Sequence, residues 1–239
     1  MKLIVDFGNT VLKAALCDGV TLGKTYRYQG EGGISFILGL IEKNHPEAVI
    51  VCSARELEDS EISVLRDPGE NVIIMDSGHK EIVRDALLPE YITPDCAAAI
   101  IAVRHLFKGK PCSIFDFGTT ITSSFIDCYG NYSGGNISPG CTTRFRSISR
   151  YARDLPLVSE TEDTTATGNS LESSIRSGVV SGIMFEIDGY ISMFPENMAI
   201  FTGGDSIYFA KRTKNSIFVI SNLVLMGLAL IVDKYEKFV

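Results

Sequence analysis

Several patterns that mark common protein classes are missing from this sequence. The six cysteines include no Cys-x-x-Cys pair, which argues against a zinc ribbon or a thioredoxin-type site. The three histidines are isolated from one another and from cysteine, so the sequence has no metal-ligand spacing. His45 and His79 lie in polar stretches and are expected at the surface. The Gly-x-Ser-x-Gly elbow is also missing, which disfavours the serine hydrolases that need it.

The chain also lacks long apolar runs and an excess of positive charge. Its most apolar stretches, residues 97–103 and 223–232, are too short to cross a bilayer. The net charge of −7 disfavours nucleic acid and anionic membranes as partners. No signal-peptide pattern precedes the first predicted strand, and several cysteines lie in apolar, strand-like runs. We therefore expect a cytoplasmic location.

The sequence does contain an ordinary globular composition and one stretch that occurs twice. Hydrophobic residues make up 45% of the 239 residues and charged residues 21%, which fits a folded protein with an ample core. An apolar run followed by Asp-Phe-Gly occupies residues 4–8 and again residues 114–118. The two aspartates stand about one domain length apart. The repeat therefore predicts two related halves.

The repeated stretch has a readable chemistry. Its apolar residues indicate a buried strand that ends at the aspartate. The glycine lets a phosphate approach the turn closely, and the Asn or Thr residues that follow offer donors. A carboxylate next to a phosphate is repulsive unless a cation lies between them, so the pair predicts a cleft for a metal and a nucleotide. The alternative interpretation is a strand followed by a tight hairpin turn, with aspartate as a turn former.

Hydrophobic periodicity and turn residues predict a chain that alternates between strands and helices. The predicted strands cover residues 2–6, 12–17, 22–29, 48–52, 72–75, 112–116, 120–127, 132–137, 198–201 and 216–219. The predicted helices cover residues 34–43, part of 56–70, 95–107, 141–152, 169–193, 205–212 and 222–237. Residues 56–70 are charged and irregular apart from that helix, residues 78–93 are polar and contain Pro89, and the glycine-rich residues 134–140 are expected to form a loop.

Each half thus opens with three antiparallel strands and continues with alternating helices and strands. This order is typical of the duplicated ribonuclease-H-like α/β architecture that sugar kinases, actin and the heat-shock chaperone ATPases share. By that analogy, residues 1–110 form an N-terminal domain and residues 111–239 a C-terminal domain, whose last helix can pack back on the first domain. ATP would then lie in a cleft between the two domains. Fold analogy of this kind names no substrate.

Five motifs in order give a more specific resemblance. They are Asp-Phe-Gly-Asn-Thr at 6–10 with Lys13, Asp-Phe-Gly-Thr at 116–119, Gly-Gly-x-Ile-x-Pro-Gly at 134–140, Thr-Gly-Gly at 202–204, and Asn-Leu-Val-Leu-x-Gly-Leu at 222–228. Together they resemble the type III pantothenate kinases over nearly the whole chain.

The resemblance implies an ATP-dependent kinase that phosphorylates pantothenate to 4'-phosphopantothenate, the first step of coenzyme A biosynthesis. It also implies magnesium, a monovalent cation (potassium or ammonium) and a homodimer whose interface holds the acceptor pocket, with residues 175–194 as the candidate contact. Two alternatives stay open. One is a catalytically impaired homologue that binds nucleotide or regulates, and the other is a kinase of a different small alcohol.

Site residues follow from the resemblance by position. The residues expected to bind ATP are Asp6, Gly8, Asn9, Thr10, Lys13, Thr119, Gly203 and Gly204. Asp116 is similar to the family's monovalent-cation ligand. Tyr91 and Ser170 match positions that contact pantothenate, although the family usually has threonine where this chain has Ser170. Asp95 is similar to the base that takes the proton from the attacking hydroxyl.

The segment at residues 91–96 departs from the family pattern. The family has Gly-x-Asp-Arg, whereas here the loop looks shortened, Thr93 stands for the glycine and Cys96 stands for the arginine. Cysteine supplies neither charge nor bidentate donors. Arg104, Arg144 and Arg146 are candidates to compensate. Asp95 also has a purely structural interpretation, because aspartate at a helix start caps free backbone amides.

Overall fold

The computed structural model describes residues 1–67, 71–161 and 164–235. Its elements, in chain order, are β1 (Lys2–Phe7), β2 (Leu12–Asp18), β3 (Thr21–Tyr28), α1 (Gly33–Asn44), β4 (Ala48–Ser53), α2 (Asp59–Arg66), β5 (Asn71–Met75), α3 (Glu81–Asp85), α4 (Pro94–Leu106), β6 (Cys112–Phe117), β7 (Thr120–Ile126), β8 (Tyr132–Pro139), α5 (Cys141–Tyr151), α6 (Leu171–Met193), β9 (Met198–Gly203), α7 (Ser206–Ala210), β10 (Ile217–Val219) and α8 (Leu223–Tyr235). Among these described residues, no helix is both long and apolar enough to cross a membrane.

Two compact units make up the chain. The first contains Met1–Leu106 together with the chain from Asn222, and the second contains Phe107–Ser221. This division differs from the sequence-based domains at the last helix. The sequence places that helix in the C-terminal domain, residues 111–239, and predicts that it can pack back on the first domain. In the structure α8 belongs to the first unit, because it packs against α4 and β1.

The two units contain sheets of the same design. The first sheet has the order β3-β2-β1-β4-β5, and the second, counted from its β8 edge, has the order β8-β7-β6-β9-β10. In each sheet the first three strands along the chain are antiparallel, the fourth pairs in parallel with the first, and the fifth pairs in parallel with the fourth. The predicted duplicated α/β architecture is confirmed.

The central strands are apolar because both faces of each sheet are covered. Leu3, Ile4 and Val5 of β1 have no exposed surface, and every residue of β4 is buried. Continuous apolar runs of this kind are typical of parallel strands that pack on two sides. Val5 belongs to the core that α1 and α2 cover, so its neighbours along β1 point to the opposite face.

Two segments differ from the sequence prediction. Residues 134–139 are not a loop, because β8 continues through Pro139 and pairs with β7 along that length. Glycines in this strand allow close backbone contact, and a Cβ on Gly135 would collide with the backbone of Ser123. Helix α3 lies in residues 78–93, to which the sequence assigned neither a helix nor a strand. A helix of five residues is too short to show a 3.6-residue period.

A buried aspartate closes the end of β5. Asp76 is fully buried, and its Oδ2 accepts a hydrogen bond of 2.9 Å from the backbone N–H of Leu57. Its Oδ1 accepts bonds of 2.9 Å from the backbone N–H groups of Gly78 and His79 and from the His79 ring Nδ1. His79, expected to be isolated, is therefore the side-chain partner of Asp76. Burial would raise the pKa of Asp76, but these hydrogen bonds outweigh it and lower the pKa.

Helix α8 is held to the first unit by one close contact and two polar pairs. A Cβ on Gly227 would collide with the backbone of Ala98 on α4, so the two helices touch without side chains between them. Lys2 Nζ pairs with Asp233 at 3.0 Å. The Tyr235 hydroxyl donates to Asp85 Oδ2 at 2.6 Å, and burial together with this carboxylate raises the pKa of Tyr235.

The contact at Gly227 predicts a large effect of one methyl group. Gly227→Ala should lower the free energy of unfolding by about 2 kcal/mol or more, because overpacking forces α8 away from α4. Gly39→Ala is the matched control, since Gly39 lies in α1 with open space where its Cβ would stand. That control should gain about 0.5–1 kcal/mol from the alanine's higher helix propensity. Urea unfolding of both variants checks this, and equal effects would contradict it.

The hydrogen bonds to Asp76 predict how stability depends on pH. Because the folded-state pKa lies below the ordinary value of 3.8, the ionised group stabilises the fold above that pH and loses this effect as pH falls through the folded-state pKa. Asp76→Asn should therefore cost about 2 kcal/mol at pH 7, and this difference from the parent should shrink in acid. Urea unfolding from pH 7 downward measures it. The exposed Asp18→Asn is the control, whose difference should stay small at every pH, and a constant cost for Asp76→Asn would contradict the assignment.

Candidate active site

In the first unit the carboxyl ends of the parallel strands β1, β4 and β5 lie side by side. Asp6 on β1 is aligned with Cys52 on β4, and Cys52 is aligned with Met75, the residue before Asp76. Ligands of open α/β sheets bind outside such strand ends. The predicted position of Asp6 at the end of a buried strand is confirmed.

A row of charges crosses the sheet at the level of Asp6. Asp6 is aligned with Lys13 on β2, and Lys13 is aligned with Arg27 on β3. Aligned residues on neighbouring strands point to the same face, so one carboxylate and two cations share a face. Arg27 was not singled out from the sequence. Its signal would have been the register of β3, which the residue types of a largely exposed strand do not determine.

Asp95 approaches the same strand ends from α4. It lies in the first turn of α4, which packs against β4, and its Oδ1 accepts a hydrogen bond of 2.9 Å from the Cys96 backbone N–H. The pKa of the Cys52 thiol is affected by burial and by the charges near it. Burial and the nearby charges of Asp6 and Asp95 raise the pKa of Cys52 well above its ordinary value, with smaller effects from Cys96 and Asp76. The structure therefore brings Asp6 and Asp95 together around Cys52.

The turn between β1 and β2 contains the remaining phosphate-binding candidates of this unit. Asn9 and Thr10 are exposed, and Gly8 is partly buried. A Cβ on Gly8 would stand only 3.0 Å from the Val11 carbonyl oxygen. Phe7 anchors the start of the turn, because its carbonyl oxygen accepts a hydrogen bond of 3.1 Å from the Ala54 N–H. An exposed turn with polar side chains and a glycine fits the predicted contact with phosphate.

Arg55 lies on the opposite face, with the side chain of Phe7. Its guanidinium stands 5.5 Å from the centre of the Phe7 ring and forms two bonds, of 2.7 and 2.5 Å, with Glu61. A cavity of 330 Å³ is lined by these side chains and by residues of α1 and α2. Since Glu61 neutralises Arg55 and the cavity faces away from Asp6, we assign neither to phosphoryl transfer.

In the second unit Asp116 occupies the position that Asp6 occupies in the first. It is aligned with Thr122 on β7 and Thr202 on β9, as Asp6 is with Lys13 and Cys52. Gly203 has a φ of +91°, and a Cβ there would collide with the Asp116 carboxylate and stand only 2.5 Å from the Phe117 carbonyl oxygen. Only glycine fits this position, whereas Gly204 has open space around it.

The turn at Thr119 is fixed from its backbone while its surface stays exposed. The Thr119 carbonyl oxygen accepts bonds from the Gly140 N–H at 3.0 Å and from the Thr143 hydroxyl at 2.6 Å. Gly140 lies so close that a Cβ on it would stand 2.8 Å from the same oxygen. Thr119, which the sequence predicts to contact the nucleotide, thus lies in an ordered and accessible turn.

Asp116 is not part of a multidentate protein metal site. Within the described ranges, no three His, Cys, Asp or Glu residues are placed to hold a metal ion together. A cation at Asp116 would draw its other ligands from backbone oxygens, phosphate or water, as magnesium bound with nucleotide does. A second carboxylate lies nearby: the Asp205 N–H donates to the Phe117 carbonyl oxygen at 3.1 Å, and burial, with a smaller effect of Glu160, raises the pKa of Asp205.

The two acceptor candidates are held differently. Tyr91 is 71% exposed, on the first unit. Ser170 caps α6 in the second unit, because its Oγ accepts from the Ser173 N–H at 3.2 Å while Ser173 Oγ accepts from the Ser170 N–H at 2.9 Å. The Ser170 hydroxyl therefore has a structural role already, and contact with an acceptor would be an additional one.

Two of the arginines that could compensate for Cys96 have other partners. Arg104 Nη1 donates to the Ala86 carbonyl oxygen at 2.6 Å. Arg144 bonds Glu186, the Ser138 hydroxyl and the Pro139 carbonyl oxygen. In the first unit, the cations on the face of Asp6 that the strand register identifies are Lys13 and Arg27.

Solved structures show which fold this is. The chain aligns with the activator of the 2-hydroxyisocaproyl-CoA dehydratase from Clostridium difficile, crystallised with bound ADPNP, at a TM-score of 0.56 and 13% identity, covering 99% of this chain and 95% of that one. It also aligns with a candidate 2-dehydro-3-deoxygalactonokinase from Sinorhizobium meliloti at a TM-score of 0.65 and 10% identity, covering 100% and 97%. At such low identity these matches show the fold alone.

Sequence relatives are closer. The family model for type III pantothenate kinase matches residues 2–193. The type III pantothenate kinase of Azobacteroides pseudotrichonymphae is 35% identical over 249 residues, covering 100% of this chain and 98% of the relative. That of Bacteroides fragilis strain YCH46 is 34% identical over 233 residues, covering 95% and 96%. With this coverage, the chain belongs to the type III pantothenate kinase family.

Proposed function

We propose that this chain is an ATP-dependent kinase that phosphorylates the terminal hydroxyl of pantothenate to give 4'-phosphopantothenate, the first step of coenzyme A biosynthesis. The observation that carries the proposal is that Asp6 is aligned with the buried Cys52 at the strand ends, while Asp95 begins the helix that packs on the same strand, in a member of this family. One carboxylate serves the phosphate side of the reaction and the other serves the alcohol.

Asp95 is the general base in this proposal. As the pantothenate oxygen attacks the γ-phosphorus, its proton passes to the Asp95 carboxylate, the bond between the γ-phosphorus and the bridging oxygen breaks, and ADP leaves. Phosphoryl transfer asks little of the protein beyond position and charge. A base at a helix N-terminus that packs on a buried strand has a fixed position.

The charge of ATP is neutralised by protein cations and bound metal. Lys13 and Arg27 share a face with Asp6, so phosphate oxygens at this edge meet positive charge from the protein. Asp6 would hold the magnesium that accompanies ATP, and the ion would supply positive charge against the phosphates, since a carboxylate beside a phosphate requires a cation. We assign the monovalent cation, potassium or ammonium, to Asp116. The ATP-binding assignments of Gly8, Asn9, Thr10, Thr119, Gly203 and Gly204 rest on their positions at or just after the ends of β1, β6 and β9 and on the family motifs.

We also propose a homodimer, formed through α6. Along this helix an exposed stripe combines the large apolar side chains of Leu171, Phe185 and Met193 with Gly178 and Gly189. Exposed apolar side chains of this size, next to glycines that allow close approach, are typical of contact surfaces. A groove of 430 Å³ between α5 and α6 flanks the same stripe. In the resembled family the acceptor pocket lies at the dimer interface, so Ser170 at the start of α6 would contribute to it.

A cytoplasmic location completes the proposal. All six cysteines fall in the described part of the chain, and none of them forms a disulfide bond. Buried free thiols persist in a reducing compartment.

The central test is a coupled kinase assay with pantothenate, ATP, magnesium and either ammonium or potassium. We expect the parent to turn over pantothenate and Asp95→Asn to lower kcat by about 100-fold or more, because amide cannot accept the proton. Binding of ATP, measured by calorimetry, should stay within about twofold of the parent, since Asp95 serves the alcohol side of the reaction.

The control is Asp18→Asn, an exposed aspartate at the end of β2, which should leave kcat unchanged. Full activity of Asp95→Asn would leave Asp95 as a helix cap only. A parent that binds ATP but phosphorylates no pantothenate would overturn the proposed substrate. A thermal-shift screen of small alcohols with a non-hydrolysable ATP analogue would then identify another acceptor or none.

The dimer is tested by one substitution on the stripe. Phe185 is 75% exposed and lies on the proposed contact. Phe185→Glu should convert the dimer to a monomer, because it places a charge in that contact. Tyr129→Glu is the matched control, an aromatic residue that is 87% exposed in the turn after β7 of the same unit. Light scattering after size exclusion measures both masses. A parent that is already monomeric would contradict the proposal.

A further inference from the structure

Residues 76–93 join β5 to α4 and lead directly to Asp95. They begin at Asp76, whose carboxylate ties Leu57, Gly78 and His79 together at the buried end of β5. We call residues 76–80 the anchor loop. A loop with this many bonds to one buried carboxylate has little freedom to move, because any shift leaves a buried charge without its donors.

The anchor loop holds the residue just before the acceptor segment, which we define as residues 91–96. Lys80 Nζ donates a hydrogen bond to the backbone carbonyl oxygen of Glu90. The Glu90 carboxylate pairs with Arg84 at 3.4 Å, and Arg84 also pairs with Glu81 at 3.4 Å. Glu90 is thus held through its backbone and through its side chain.

The far end of α3 is held as well. Asp85 accepts a hydrogen bond from the Tyr235 hydroxyl, and the Ala86 carbonyl oxygen accepts one from Arg104 of α4. Leu87 then turns the chain with a φ of +55° and a side chain that is 88% exposed. A leucine in the left-handed region is strained, and such strain persists only where the surroundings fix the backbone.

We propose that Asp76, His79 and Lys80 are positioning residues for the acceptor alcohol, acting through Glu90 on Tyr91 and Asp95. The inference rests on the proposed function, since it assumes that residues 91–96 face pantothenate. The family's acceptor loop contains a glycine and an arginine that this chain lacks. In this chain the position of the acceptor segment is set by a residue outside it, since the Asp76 carboxylate at the end of β5 fixes the anchor loop.

The position of Asp76 connects the anchor loop with the carboxylates that take part in the proposed reaction. Asp76 lies at the end of β5, next to the strand of Cys52, and its charge acts on the same thiol as those of Asp6 and Asp95. Glu90 directly precedes the acceptor segment, so a displacement of Glu90 is expected to move Asp95 relative to Asp6. Misplacement by about 1 Å can cost up to about 100-fold in rate.

The test uses Lys80, whose substitution leaves the buried bonds of Asp76 intact. Lys80→Met keeps the aliphatic stem and removes the donor to Glu90. We expect the KM for pantothenate to rise about tenfold while the KM for ATP stays within about twofold, because only the acceptor side loses its support. Lys80→Arg should restore the parent value, since its guanidinium can donate to the same carbonyl oxygen. Lys43→Met, at an exposed position near the end of α1, is the matched control and should match the parent.

Hydrogen exchange gives a readout that does not need turnover. Amides of residues 87–96 should exchange faster in Lys80→Met than in the parent, while those of β1 and β4 stay protected. Unchanged exchange in residues 87–96, or an equal rise in both KM values, would overturn the inference. If the parent phosphorylates no pantothenate, the proposed function fails, and the exchange comparison still decides whether Lys80 fixes this segment.

Discussion

The first strand of each unit is paired along both edges, and this pairing determines where the reactive groups can lie. β1 is joined to β2 and β4, and β6 is joined to β7 and β9, so neither strand has an open edge. With both faces packed, the only accessible part of such a strand is its end. Asp6 and Asp116 each stand one residue before that end.

The two copies share a backbone design and differ in their neighbours. Asp6 stands beside a lysine on one strand and a buried thiol on the other, whereas Asp116 stands between two threonines and against Gly203. A carboxylate next to lysine suits the charge of phosphate, while a carboxylate among hydroxyl groups and backbone oxygens suits a bound cation. Duplication thus supplied the same strand end twice, and the side chains beside it separated the two chemistries.

Most of the fold could be predicted from the sequence, because turn residues and apolar periods mark the strands that build each sheet. The exceptions have physical reasons. α3 is too short to show a period, and the glycines of β8 suggest a loop although they serve close strand pairing. The buried role of Asp76 was not predictable, since its partners Leu57 and His79 come together only when β5 is placed beside β4. For the site, the motifs located the strand-end carboxylates, but the register that adds Arg27 needed the structure.

The contact between Gly227 and Ala98 also bears on synthesis of the protein. The second unit is one continuous segment, Phe107–Ser221, and all of its strands are synthesised before α8. The first unit is interrupted by that segment, and α4 and β1 keep an uncovered apolar face until residues 223–235 emerge. Domains generally fold in the order of their synthesis. Here that order is reversed for completion: the unit that begins first is finished last, and until α8 is in place its apolar face is open to aggregation.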